Sequence, residues 1–188
     1  MRTSVILAGA RTPIGKFNGA LSGLSATDLG GIAIKAAVAR AGIAPDQIQY
    51  VIMGQVLQAG AGQGPARQAA IKGGLPLDVP SIALNKVCLS GLNAIALADQ
   101  LIRASEYEII IAGGMESMTN APHLLMNSRT GIKLGDATLK DSMIFDGLFC
   151  AIDQIAMGES TEKYNSRYSL TRQEQDDFAY QSHLPCDL

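Results

Sequence analysis

The sequence predicts an α/β domain, a mixed but mostly parallel sheet with helices on both faces. Short apolar runs at residues 4–8, 50–57, 79–84 and 108–112 read as buried strands. Stretches with helical spacing and helix-end signals separate them, and that alternation favours parallel pairing with helical crossovers. A cysteine, Cys88, falls where the third run hands over to a helical stretch almost without a breaker.

Taken in order, Ser4-Val5-Ile6-Leu7-Ala8 is continuously apolar, the pattern of a strand covered on both faces. Residues 9–23 are rich in Gly, Pro and small polar residues and read as a loop. Ser25 and Asp28 have the spacing of a capping box. Leu29, Ile32, Ala33, Ala36, Ala37 and Arg40 then follow helical spacing, and Gly42 supplies a stop. A turn at 44–49 leads into the second strand, 50–57. Gly60-Ala61-Gly62-Gln63-Gly64-Pro65 follows, but its spacing is neither a dinucleotide fingerprint nor a phosphate loop, so it reads as turns. A short helix at 66–72 ends at Gly73-Gly74. The helix after Cys88, about 92–104, is apolar nearly all round and belongs in an interior. After Gly114 the character changes. Residues 120–147 show no stable period and read as an irregular excursion. Two helices follow, one over about 158–168 and one opened by the capping box Thr171-Arg172-Gln173-Glu174. Pro185 stops the second. The expected division is an α/β domain at 1–118 and a partial loop domain at 119–188.

Composition narrows the function classes. Hydrophobic residues make up 47% and charged residues 17% of 188, which supports a real core and excludes a disordered chain. The net charge of −2, with no basic cluster, gives nucleic-acid binding no electrostatic support. No apolar run approaches the roughly 18 residues of a membrane span. Arg2-Thr3 ahead of a short strand-like run is unlike a secretory signal or a transit peptide. Three widely spaced cysteines, an odd number, point to a reducing compartment, so the cytoplasm is the expectation.

The chemistry centres on Asn85-Lys86-Val87-Cys88-Leu89-Ser90-Gly91. A thiol at a strand-to-helix junction meets unpaired N–H groups and the positive end of a helix dipole, both of which favour thiolate. Ser90 and Gly91 add little bulk beside the sulfur, and Lys86 is near in sequence. The competing reading is that Cys88 is a small packed hydrophobe, as free cysteines usually are. Local reasoning leaves both open. Cys150, in Leu148-Phe149-Cys150-Ala151, has an apolar setting that reads as core. His183 and Cys186 form a His-x-x-Cys pair, well short of a four-ligand zinc site, and His123 stands apart, so no metal is expected.

The same stretch, with Ala98-Asp99-Gln100 and Ala112-Gly113-Gly114-Met115-Glu116-Ser117-Met118 after it, resembles the N-terminal half of the thiolases, the acetyl-CoA acetyltransferase family. Gly9-Ala10-Arg11-Thr12-Pro13-Ile14-Gly15 is similar to that family's opening, and Met157-Gly158 with Thr161-Glu162 to its mid-chain helix entry. The resemblance implies that Cys88 is the nucleophile that carries an acyl group as a thioester. It implies that Met157 and Gly158 lie against acyl-CoA, that coenzyme A is substrate with no further cofactor, and that the protein forms a homo-oligomer. The family's catalytic histidine and second, acid/base cysteine belong to a C-terminal half not found in these residues, so the 188 residues alone are expected not to turn over. Ala156 stands where many relatives carry a histidine near the bound CoA, which leaves the acyl preference open. Two other readings remain: a condensing enzyme of the same fold, which the Asn85–Gly91 and Gly113–Ser117 runs disfavour, and a non-catalytic half that only binds a partner chain.

Overall fold

The structure is a computed structural model that describes residues 3–184. It divides into two compact units, residues 1–147 and 148–188, against an expected boundary after 118. Pro185 and Cys186 of the sequence analysis lie outside the described residues.

The first unit is built on a parallel sheet of β1 (Tyr50–Gly54), β2 (Ser81–Leu84) and β3 (Ile110–Gly114), with β1 in the centre. Tyr50 stands beside Ile110 and Gly54 beside both Leu84 and Gly114, so the strands end together. Side chains alternate along β1 as a strand requires. Val51 and Met53 face a core shared with α1 (Ala26–Ala41) and α2 (Pro65–Lys72), while Ile52 faces α3 (Ser90–Arg103) through Ala94 and Ala98. Helices therefore cover both faces, and the α/β fold class holds.

Helix α1 starts and stops on the expected signals. Ser25 and Asp28 form the reciprocal capping box, and Gly42 ends the helix in the left-handed region at φ 66°. Its buried face is not the expected one. Thr27, Gly30, Gly31, Ile34 and Val38 are buried, while Ile32 is half exposed. Two glycines decide this. A Cβ at Gly31 would come within 2.7 Å of the Lys72 Cβ, and one at Gly30 within 2.6 Å of the Met115 sulfur. The helix turns its flattest side inward so that α2 and Met115 can approach.

Three further expectations are corrected. Residues 4–8 form no strand, and Ile6 is 84% exposed. An apolar run is buried only where a neighbour covers it; here Ser4 bonds to Asp99 and the Arg40 guanidinium donates to the Gly9 carbonyl, with no ladder. Helix α3 is not enclosed all round. Its inner face is Ser90, Ala94 and Ala98, and Leu92 is 62% exposed. The stretch 120–147 is not wholly irregular: β4 (His123–Leu125) pairs antiparallel with β5 (Leu139–Asp141), and a π-helical turn, Met143–Leu148, follows. Buried Ser142 fastens that hairpin, its N–H and hydroxyl both donating to the Pro122 carbonyl.

The second unit contains α4 (Met157–Tyr168) and α5 (Arg172–His183). Thr171 and Glu174 form the expected capping box of α5. Among the described residues no helix is long and apolar enough to cross a membrane.

Candidate active site

Parallel sheets place their working groups beyond the carboxyl ends of the strands. Cys88 sits there, four residues past the end of β2 and two before the first residue of α3, with its side chain exposed. The chain turns sharply to put it there. Val87 adopts φ +50°, a left-handed conformation costly for a β-branched residue. Asn85 stabilises the turn, its Oδ1 accepting from the Val87 N–H at 2.9 Å. Ser90 closes it from the other side, its hydroxyl accepting from the Lys86 N–H at 2.8 Å and donating to the Val87 carbonyl at 2.6 Å.

The expected environment of the thiol is partly changed by this geometry. The N–H groups of Leu89 and Ser90 are already bonded, each at 3.1 Å, to the carbonyls of Lys86 and Val87. The Lys86 ammonium donates to Asn93 Oδ1 at 3.2 Å. The small residues next to the sulfur also have a second use. A Cβ at Gly54 would lie 2.6 Å from the Ser90 carbonyl carbon and 2.7 Å from the Gly91 N, and one at Gly114 would lie 3.4 Å from the Gly91 Cα. Gly54, Gly91 and Gly114 let the start of α3 rest directly on the strand ends.

One carboxylate in this region had no role assigned to it from sequence. Glu116, just past β3, accepts from the Val56 N–H at 2.8 Å and the Leu57 N–H at 3.2 Å. Burial pushes its pKa above the ordinary glutamate value, against the two amide hydrogen bonds that pull it down. The sequence signals were its place in the Ala112–Met118 run and an acid set among small and apolar residues directly after a strand.

The remaining candidates belong to other elements. Met157 and Gly158 open α4 in the second unit, with Ala156 as its N-cap residue, and Cys88 belongs to the first unit. Cys150 is partly buried in a turn of the second unit, where the Asp153 N–H points at its sulfur at 3.3 Å. His123 lies on β4 and His183 ends α5, where its Nδ1 meets the Ala179 carbonyl at 3.1 Å. Among the described residues, no group of three or more His, Cys, Asp or Glu side chains could hold a metal.

The family model "Thiolase, N-terminal domain" matches residues 4–185. The chain belongs to the thiolase family. A probable acetyl-CoA acetyltransferase of Mycobacterium leprae is 59% identical over 183 residues, 97% of this chain and 47% of the relative. The acetyl-CoA acetyltransferase of Cupriavidus necator is 52% identical over 179 residues, and a probable acetyl-CoA acetyltransferase of Escherichia coli is 50% identical over 182. The chain covers 95% and 97% of its own length in these two matches, and 46% of each relative. This thiolase chain thus spans about half the length of the curated relatives it matches.

Proposed function

We propose that Cys88 is the acyl-carrying nucleophile of an acyl-CoA C-acyltransferase that acts on acetyl-CoA and 3-ketoacyl-CoA. The observation behind this reading is the Asn85–Gly91 turn, which holds an exposed thiol at the carboxyl edge of a parallel sheet in a chain of this family. In the reaction proposed, the Cys88 thiolate adds to the thioester carbonyl of acetyl-CoA. The tetrahedral intermediate expels the CoA thiolate, which takes up a proton, and the acetyl group remains on Cys88 as a thioester. The α-carbanion of a second acetyl-CoA then attacks that thioester, Cys88 leaves as thiolate, and acetoacetyl-CoA is released. Thiolysis is the reverse.

The Cys88 N–H is assigned to the oxyanion that develops at each addition. Met157 and Gly158 are assigned to the acyl-CoA. Coenzyme A is substrate, and no other cofactor or metal is invoked. The base that activates Cys88 and the acid/base at the α-carbon are assigned to a histidine and a cysteine of the family's C-terminal half, and the enzyme is read as a cytoplasmic homo-oligomer. The 188 residues alone should therefore give background thiolysis of acetoacetyl-CoA, because each missing proton-transfer group removes roughly 10²–10⁴-fold.

A chimera tests the reading. Residues 1–188 are joined to the remainder of the Cupriavidus necator relative and assayed for thiolysis, with mass spectrometry of the Cys88 peptide after acetyl-CoA alone. Turnover that Cys88→Ser abolishes, with one acetyl group on Cys88, is the expected result. A folded chimera whose activity survives Cys88→Ser, or which carries the acetyl group elsewhere, would overturn it.

A further inference from the structure

The carboxyl edge of the sheet is bound together sideways, and one side chain sits at the far end of that chain of contacts. The Met115 N–H donates to the Gly54 carbonyl at 2.9 Å, and the Gln55 N–H to the Leu84 carbonyl at 3.0 Å, so the exits of all three strands are tied. Directly beyond, Glu116 takes the two successive N–H groups of Val56 and Leu57. The Val56 carbonyl, on the other side of the same peptide segment, accepts from Asn85 Nδ2 at 3.5 Å. The other end of that amide, Asn85 Oδ1, holds the N–H of left-handed Val87, whose carbonyl leads to Cys88.

We infer that Glu116 is a positioning residue for Cys88, acting through the Val56 backbone and the Asn85 amide on the left-handed turn at Val87. The inference rests on the reading of Cys88 as the nucleophile. A half-buried carboxylate is a costly group with which merely to join two loops. Among the described residues no lysine or arginine pairs with it. Its two oxygens are spent on the amides of the 56–57 segment, and the Val56 carbonyl of that segment accepts from Asn85. A fixed Asn85 amide can hold Val87 at a left-handed backbone angle that a β-branched residue rarely adopts unsupported. The neighbouring side chains reinforce the same segment: buried Gln55 donates to the Leu57 carbonyl at 3.0 Å, and Gln58 to the Gln55 carbonyl at 2.9 Å. The Glu116 hydrogen bonds run to the Val56 and Leu57 N–H groups, so its action on Cys88 is indirect.

The test measures Cys88 alkylation by limiting iodoacetamide in the 188-residue chain, with Cys150 in the same molecule as the reference. Glu116→Ala should lower the Cys88-to-Cys150 rate ratio about threefold or more, the size expected for loss of one or two hydrogen bonds. Glu116→Gln, which keeps one acceptor oxygen, should recover part of the loss and decides the matter if the alanine variant does not fold. Asn85→Ala should lower the ratio by itself, yet add little in the Glu116→Ala background, because groups in one network are not additive. Ile34→Val, on the opposite face of the sheet, controls for general loosening. An unchanged ratio in folded variants, fully additive losses, or an equal fall in Ile34→Val would overturn the inference. Failure of the proposed function looks different: Cys88 would still depend on Glu116 for alkylation, but would never carry an acetyl group.

Discussion

At the scale of single residues, the chain treats two of its thiols differently. Cys88 is exposed on a turn held by Asn85 and Ser90, whereas Cys150 is partly buried with the Asp153 N–H against its sulfur. Thiol reactivity follows exposure and thiolate character. Limiting iodoacetamide at neutral pH should therefore label Cys88 ahead of Cys150, and peptide mapping reads the order directly. Equal labelling would mean that the turn at Val87 presents the sulfur no better than an ordinary partly buried site.

At the scale of elements, two contacts set how the helices meet the sheet. Asp28 serves both as the capping-box acid of α1 and as the ion-pair partner of Lys72 in α2, at 2.6 Å. Lys72 first, then the bonds from Ser25, hold its carboxyl down from 3.8 to about 2. A folded-state value below the free one means that the folded protein binds fewer protons. The stabilisation is thus present above about pH 4 and disappears as pH falls through about 2. Both side chains are more than one-third exposed, which limits the ion pair to at most about 1 kcal/mol. Asp28→Asn, which keeps an oxygen acceptor for Ser25 but loses the charge that Lys72 holds, should cost up to about 1 kcal/mol in urea denaturation near pH 7, and the difference from the parent should close toward about pH 2. The second contact is Gly54, where an added Cβ would meet backbone atoms of Ser90 and Gly91 rather than a side chain that can swing aside. Gly54→Ala should destabilise by roughly 1–3 kcal/mol and slow Cys88 labelling together, because the start of α3 must lift from the strand ends. A thermal melt and the same mapping experiment check both effects, and an unchanged melt would show that the helix shifts freely.

At the scale of the whole molecule, the notable surface is the outer side of α3 with the 4–8 segment. Leu89, Leu92 and Ile95 of the helix region, and Val5, Ile6 and Leu7 of the segment, are large apolar side chains left in water. Burying such a side chain is worth roughly 1.5–3 kcal/mol, so faces of this kind recruit a partner or aggregate. The 188 residues by themselves should self-associate, or dock with a C-terminal half of a relative. Light scattering across a dilution series tests this. A monomer at all concentrations, with cooperative unfolding and no dye-binding surface, would contradict it.

Local chemistry was legible without coordinates. The capping boxes at Ser25 and Thr171, the stop at Gly42 and the strand-to-helix handover at Cys88 each depend on residues a few positions apart, and each forms as read. The family was legible too, because its motifs are contiguous strings. What the sequence could not decide is which surface meets which. The inward face of α1 follows from where Met115 and Lys72 fall against Gly30 and Gly31. The fate of residues 4–8 depends on whether another strand lies beside them. The hairpin within 120–147 is held by single long-range bonds, such as those of Ser142 to Pro122. Glu116 reaches Val56 from 60 positions away. Periodicity reports a side chain's affinity for an interior but not the partner that creates one, and only the tertiary structure brings those partners together.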